Sequence, residues 1–258
     1  MTDQPTTLDD LRTRIDQIDE DMHRLLIQRG GIIDELVRVK RTGETGSAFR
    51  PGREADMMRR LVERHSGRLP FSAVEHIWRT IISGFTHVQA PYGVHVDGSG
   101  DAGAMRDLAR FQMGFDVPLT LHDGPQAVIE AVSASQGDLG LIRLGGSPTA
   151  WWSELGEPGR PQIMSRLPFL IYPNRPAAAD AVVIANHLGD AAAEDMAVVQ
   201  FDLAGAPPEG AFQVLAYNIA DRWRGLVALD KARLPEGART AGSYARPVTL
   251  APNGGDAR

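Results

Sequence analysis

From Leu8 to Val39 the chain repeats apolar residues at helical spacing: Leu8, Leu11, Ile15, Ile18, Met22, Leu25, Leu26, Ile33 and Leu36. The pattern predicts one long amphipathic helix from about Leu8 to Arg41. Thr7 is its expected cap, with Asp10 as the reciprocal acid. Two residues break the stripe. At about 100° per residue, Arg29 and Lys40 fall near its middle, beside Leu11, Met22 and Leu36. Cations on a core-facing stripe are costly unless an anion meets them. That anion is either a carboxylate of the protein or a polyanionic ligand.

A second helix is expected from Pro51 to Gly67. A third follows Pro70 and ends before Pro91, with Ser72 as cap, Glu75 as box partner, and an apolar face of Val74, Ile77, Trp78, Ile81, Ile82 and Phe85. The first helix, about 34 residues and roughly 50 Å, is twice the length of either. Two short helices cannot cover so long a stripe. A second copy of the chain would, giving an intertwined dimer. The alternatives are cover from the rest of the chain, or a break at Gly30-Gly31, where two glycines cost about 2 kcal/mol.

After Pro91 the texture changes. Strand, helix, strand, helix, strand are expected at Gly93–Val96, Ala102–Met113, Val117–His122, Pro125–Ser135 and Leu139–Leu144. This order implies a largely parallel sheet. Further strands are expected at Phe169–Tyr172, Ala181–Ala185, Ala197–Leu203, Phe212–Tyr217 and Leu226–Leu229, and a frayed tail at Ala251–Arg258. The division is a helical domain, 1–92, and an α/β domain, 93–258.

Charge sharpens this division. The net charge is −6 over 258 residues. Residues 1–92 hold 14 basic and 14 acidic residues, so the deficit lies wholly in the second part. No basic block suggests nucleic acid, and the acidic balance argues against anionic membranes. Cysteine is absent, which excludes disulfides, thiolate metal sites and a cysteine nucleophile. The start of the chain has no basic and apolar leader, and no run reaches the roughly 20 apolar residues of a membrane span. The expected location is cytoplasmic. No His/Asp cluster has metal-ligand spacing.

Further chemistry-bearing residues join Arg29 and Lys40. Arg12 lies just off the stripe. Arg53 and Glu54 open the second helix. Gln89 falls on the apolar side of the third. For any one arginine, an internal salt bridge, for example to Asp19, Glu35 or Asp56, is the simpler explanation. For Arg29, Lys40 and Gln89 together it is weaker, because their own faces offer few acids.

Leu11-Arg12, Gln28-Arg29, Val39-Lys40, Arg53-Glu54 and Ile81-Ile82…Gln89, in this order on three helices, resemble the all-helical (AroQ-type) chorismate mutases over residues 7–90. The resemblance implies a homodimer with long first helices crossing and sites shared between chains. Arg12 would enter the partner's site, while Arg29, Lys40, Arg53, Glu54 and Gln89 serve their own. It implies the rearrangement of chorismate to prephenate, with no cofactor and no metal. Two positions depart from the family pattern. Phe85 stands where a small polar residue is common, and Arg50 where an acid often stands.

The second part carries Gly98-Ser99-Gly100-Asp101-Ala102-Gly103, with Asp123 twenty residues beyond Gly103. This is the spacing of a nicotinamide-binding loop. A glycine-rich turn capping a helix explains it more simply, since His95 sits in the strand that should be apolar. Residues Gly124–Val132 followed by Gly137–Ile142 resemble the helix-then-strand unit of prephenate dehydratase domains, which have a two-lobed, periplasmic-binding-protein-like α/β fold. The catalytic Thr-Arg-Phe of that family is replaced by Leu167-Pro168-Phe169, which implies that dehydration is lost. Trp151, Trp152 and Trp223 are expected to be packing residues. The expected protein is thus a chorismate mutase with a degenerate dehydratase-like domain. Its alternatives are a bifunctional mutase–dehydratase, an NAD-dependent mutase–dehydrogenase, and a non-catalytic dimeric sensor of an aromatic metabolite. An aromatic amino acid is a possible effector.

Overall fold

In the computed structural model the described residues are 6–40, 47–186, 195–203, 213–219 and 223–250. Phe212, Arg41 and the tail after Leu250 lie outside them, as does the side chain of Lys40. Two compact units divide the chain, Met1–Thr45 and Gly46–Arg258.

The first unit is one helix, α1, Leu8–Lys40. It runs through Gly30-Gly31 without a break. The capping box forms as expected. Asp10 accepts from the Thr7 backbone N–H at 2.9 Å, and the Asp10 N–H donates back to Thr7 Oγ1 at 3.2 Å. The Thr7 hydroxyl, which also donates to the Asp10 carboxylate at 2.7 Å, and the Thr7 N–H hold the Asp10 carboxyl below its ordinary pKa. Along the stripe Leu8, Leu11, Ile15, Ile18, Met22, Leu25 and Leu26 are all exposed. A helix this long rarely holds by propensity alone, so its stability depends on a surface that covers this face.

The second unit begins with α2 (Pro51–Arg64) and α3 (Phe71–Gln89). α3 starts one residue after Pro70 and has no side-chain cap, so the Ser72–Glu75 box is not made. Its buried face also differs from the expected one. The buried residues are Glu75, Arg79, Ile82, Ser83 and Thr86, while Ile77 is 41% exposed and Val88 62%. A mostly polar stripe turns inward because its partners are there: Glu75 receives Tyr172 and Arg175, and Ser83 donates to the carbonyl of Met113 at 2.8 Å. α2 and α3 share an apolar cluster with the α/β part through Ala55, Met58, Leu61, Ile82, Phe169 and Leu170.

Next come β1 (Val94–Asp97), α4 (Ala102–Met113), β2 (Leu119–His122), α5 (Pro125–Ser133), β3 (Leu139–Arg143) and β4 (Gly145–Gly146). The chain continues through β5 (Gln162–Leu167), β6 (Leu170–Ile171), β7 (Ala181–Ala185), β8 (Met196–Leu203), β9 (Gln213–Ile219), β10 (Trp223–Asp230), β11 (Thr240–Tyr244) and β12 (Val248–Thr249). Among the described residues one ten-stranded sheet has the order β2-β1-β3-β7-β5-β11-β8-β10-β9-β4, and β6 pairs with β12 apart from it. The parallel expectation holds for β2-β1-β3, and parallel pairing recurs at β5-β11 and β4-β9. From β3 to β7 to β5 the neighbours are antiparallel, as are β11-β8-β10-β9. The three residues between β9 and β10 are too few for the crossover that parallel neighbours need.

Two glycines set close approaches. At Gly140 on β3, a Cβ would stand 2.6 Å from Ile184 and 2.7 Å from Val128, so α5 lies directly on the sheet there. Gly242 has φ +139°, and a Cβ would meet the Ile163 backbone at 2.2 Å. The three tryptophans Trp151, Trp152 and Trp223 are buried packing residues.

Candidate active site

Of the six expected site residues, Arg12, Arg29 and Lys40 belong to the first unit, and Arg53, Glu54 and Gln89 to the second. The structure therefore describes these two groups of three residues each by itself. On α1, Arg12 is exposed and its guanidinium lies 3.3 Å from Asp9, an intrahelical pair one turn away. Such an exposed pair holds the side chain weakly, at about 0–1 kcal/mol. Arg29 is half-buried.

In the second unit Arg53 and Glu54 open α2, as Pro51 in its first turn directs. Arg53 is exposed. The Glu54 side chain is 15% exposed, and its Oε2 lies 3.5 Å from Nη1 of Arg79 on α3. Burial pushes the Glu54 carboxyl up to about 7, against the pull of Arg79. Gln89, near the C-terminus of α3, is half-buried and donates through Nε2 to the Phe85 carbonyl at 2.9 Å. Arg50, where an acid often stands in the family, donates to the carbonyls of Ser47 and Phe49.

Of the four further residues of this neighbourhood, Arg79, Tyr172 and Arg175 were not singled out from the sequence, and Glu75 only as a capping partner. Arg79 is 3% exposed, and its Nε also lies 3.9 Å from Glu75. Glu75 is fully buried and accepts from Arg175 at 2.9 Å and from the Tyr172 hydroxyl at 2.7 Å. The Glu75–Arg79 pair reads from the sequence as an ordinary i,i+4 surface pair. Nothing local announces partners near residue 172.

In the α/β part, the glycine-rich turn after β1 behaves as the simpler reading expects. Asp101 caps α4 by accepting from the Ala104 N–H at 2.9 Å. His95, anomalous in a buried strand, is 2.9 Å from His122 and 3.1 Å from Asp138, so its ring is hydrogen-bonded on both sides. Burial and the neighbouring His95 hold His122 below its ordinary pKa. Leu167 and Phe169 of the Leu167-Pro168-Phe169 segment are buried apolar side chains.

Residues 11–90 match the family model of chorismate mutase type II. The helical N-terminal region belongs to that family. The match spans α1, α2 and α3, and so crosses both compact units. It contains all six residues expected in the mutase site. The match supports chorismate mutase activity, an isomerisation of chorismate to prephenate. No curated protein and no solved structure matches the chain. Among the described residues no helix is long and apolar enough to cross a membrane.

Proposed function

We propose that two copies of this chain assemble shared chorismate mutase sites. In each site Arg29, Lys40, Arg53, Glu54 and Gln89 come from one chain and Arg12 from the other. The observation that carries the shared site is the α1 stripe. Its apolar residues from Leu8 to Leu26 are exposed, and so is Arg12, which the helical spacing places just off the stripe. A crossing partner helix would cover the stripe and carry Arg12 into the other pocket.

The reaction needs no covalent or acid–base step. Chorismate is a dianion, and its ring and side chain must be held folded for a [3,3] shift. Arg12, Arg29 and Arg53 suit its carboxylates, because a guanidinium fork is bidentate and permanently charged. Lys40 and Gln89 donate to the ether oxygen, where charge grows as the bond breaks. Glu54 accepts from the ring hydroxyl. Gln89 does not titrate, and Glu54 must be ionised to accept well, so the activity has no acidic optimum.

The proposed division of labour places the mutase chemistry in residues 1–92 and a non-catalytic α/β region in 93–258. For that region we propose a degenerate dehydratase-like origin with a periplasmic-binding-protein-like fold and, as ligand, an aromatic amino acid effector. The α5–β3 unit supports this, packed tightly at Gly140. Loss of dehydration is supported by the buried Leu167 and Phe169, which supply no hydroxyl. The single continuous sheet fits two separate lobes least well. A cytoplasmic location accords with the absence of cysteine.

The test is consumption of chorismate by the full chain, with prephenate as product. Arg29→Ala and Lys40→Ala each lower kcat/KM by about 100-fold or more. Near-normal turnover in either overturns the residue assignment. No turnover in the wild type overturns the reaction. Phenylpyruvate formed from added prephenate would instead favour a bifunctional enzyme.

A further inference from the structure

Glu54 does not meet Arg79 alone. Behind Arg79 lies a closed set of buried charges. Arg79 stands between two carboxylates, 3.5 Å from Glu54 and 3.9 Å from Glu75. Its Nε is buried and makes no hydrogen bond. Glu75, by contrast, is well supplied, with Arg175 at 2.9 Å and the Tyr172 hydroxyl at 2.7 Å. Arg175 is held in turn by the carbonyls of Pro176 and Ala177 and by the Phe111 ring, 4.6 Å from its guanidinium carbon. Two acids and two bases thus balance inside one unit. Two of the groups, Tyr172 and Arg175, come from the segment between β6 and β7.

The arrangement has a consequence for Glu54. A guanidinium shared by two carboxylates gives each less than a full ion pair. The more completely Tyr172 and Arg175 satisfy Glu75, the more of the Arg79 charge is left to Glu54. If that clamp loosens, Glu75 competes for Arg79 and Glu54 loses its counter-ion. On α3 the groups facing Glu54 are Arg79 and, behind it, Glu75. Tyr92, which follows α3, also feels Glu54 and is pushed up to about 12, mainly by burial. Tyr172 and Arg175 act through Glu75.

We propose that Arg79 is a positioning residue for Glu54, and that the Tyr172–Arg175 clamp on Glu75 lets the α/β region set the ionisation of Glu54. This rests on the mutase reading for its catalytic meaning, because Glu54 is the acceptor in that site. It gives the α/β region a task in the mutase reaction without a second active site. A ligand or variant that shifts the 172–175 segment would change turnover by changing the charge of one carboxylate.

The experiment titrates Glu54 directly in the full chain, by carbon NMR of carboxyl-labelled glutamate, with Glu54→Gln to assign the signal. The pH profile of kcat/KM on chorismate is measured in parallel. Arg79→Gln raises the Glu54 midpoint by about 1 pH unit or more, since an opposite charge at this range is removed. Tyr172→Phe, which keeps the ring and its packing, raises the midpoint by about 0.3 unit or more. Arg79→Lys keeps the charge and restores most of the wild-type midpoint. In each variant the acidic limb of kcat/KM moves with the Glu54 midpoint. A lower rate with an unmoved limb would mean that these residues only hold the fold. If Arg79→Gln does not fold, Tyr172→Phe and Arg79→Lys decide the matter. An unmoved Glu54 midpoint in Tyr172→Phe overturns the coupling. A wild-type protein that consumes no chorismate overturns its catalytic meaning, even if the midpoints move.

Discussion

Glu75 accepts a hydrogen bond from Arg175 at 2.9 Å across 100 residues of chain, and neither side chain is more than 2% exposed. Taking two charges out of water is expensive, and the pair persists because Tyr172 completes the carboxylate. The pair is also one of the polar ties between α3 and the α/β part. Removing one partner leaves the other buried and uncompensated. Glu75→Ala therefore destabilises the chain by about 3–5 kcal/mol in denaturant titrations. Replacing both members with apolar side chains, Glu75→Leu with Arg175→Met, costs less than the sum of the single changes. Additive losses would mean that the two residues do not act as a pair.

Glu54 makes stability depend on pH in a defined direction. Its carboxyl titrates near 7 in the folded chain and at its ordinary 4.5 when exposed. Between those values the native state holds more protons than the unfolded state, so stability falls as pH rises. Below about 4.5 both states are protonated, and the penalty vanishes. Above about 7 it is complete, at about 3 kcal/mol. In Glu54→Gln this component is absent. Relative to the wild type, the variant gains stability as pH rises from 4.5 to 7. Parallel curves for the two proteins contradict the account.

Gly140 is required by a close approach rather than by a turn. A methyl group there would press on Ile184, Val128 and Val132 at 2.6 to 3.0 Å, all of them fully buried. Gly140→Ala lowers stability by about 1–3 kcal/mol, read from thermal or denaturant unfolding. A neutral substitution would mean that α5 lifts from β3 at little cost.

The sequence made some of this readable and hid the rest for physical reasons. α1 was visible because its apolar period is regular over some nine turns, and Thr7 and Asp10 sit where a capping box needs them. β7 was visible as an unbroken apolar run, Ala181–Ala185. β5 and β11 were not expected. Gln162–Leu167 alternates poorly, and Thr240–Tyr244 is built of small residues whose strand conformation depends on pairing with distant neighbours. The antiparallel turn of the sheet after β3 also rests on those pairings. The inward polar face of α3 was hidden because Glu75 and Arg79 are matched by Tyr172 and Arg175, some hundred residues away. At the candidate site, the order of Arg12, Arg29, Lys40, Arg53, Glu54 and Gln89 was readable. The counter-ion that Glu54 uses inside its own chain was not.

Arg12 supplies the most direct test of a site built from two chains. Its pairing with Asp9 is exposed, so Arg12→Ala changes stability by less than about 1 kcal/mol. Arg12→Ala and Arg29→Ala each abolish most chorismate turnover as pure proteins. When the two are unfolded and refolded together, a mixed dimer carries one site with both arginines intact. Random pairing then restores about a quarter of wild-type activity. An active wild type whose mixed variants stay as inactive as each alone would contradict the shared site.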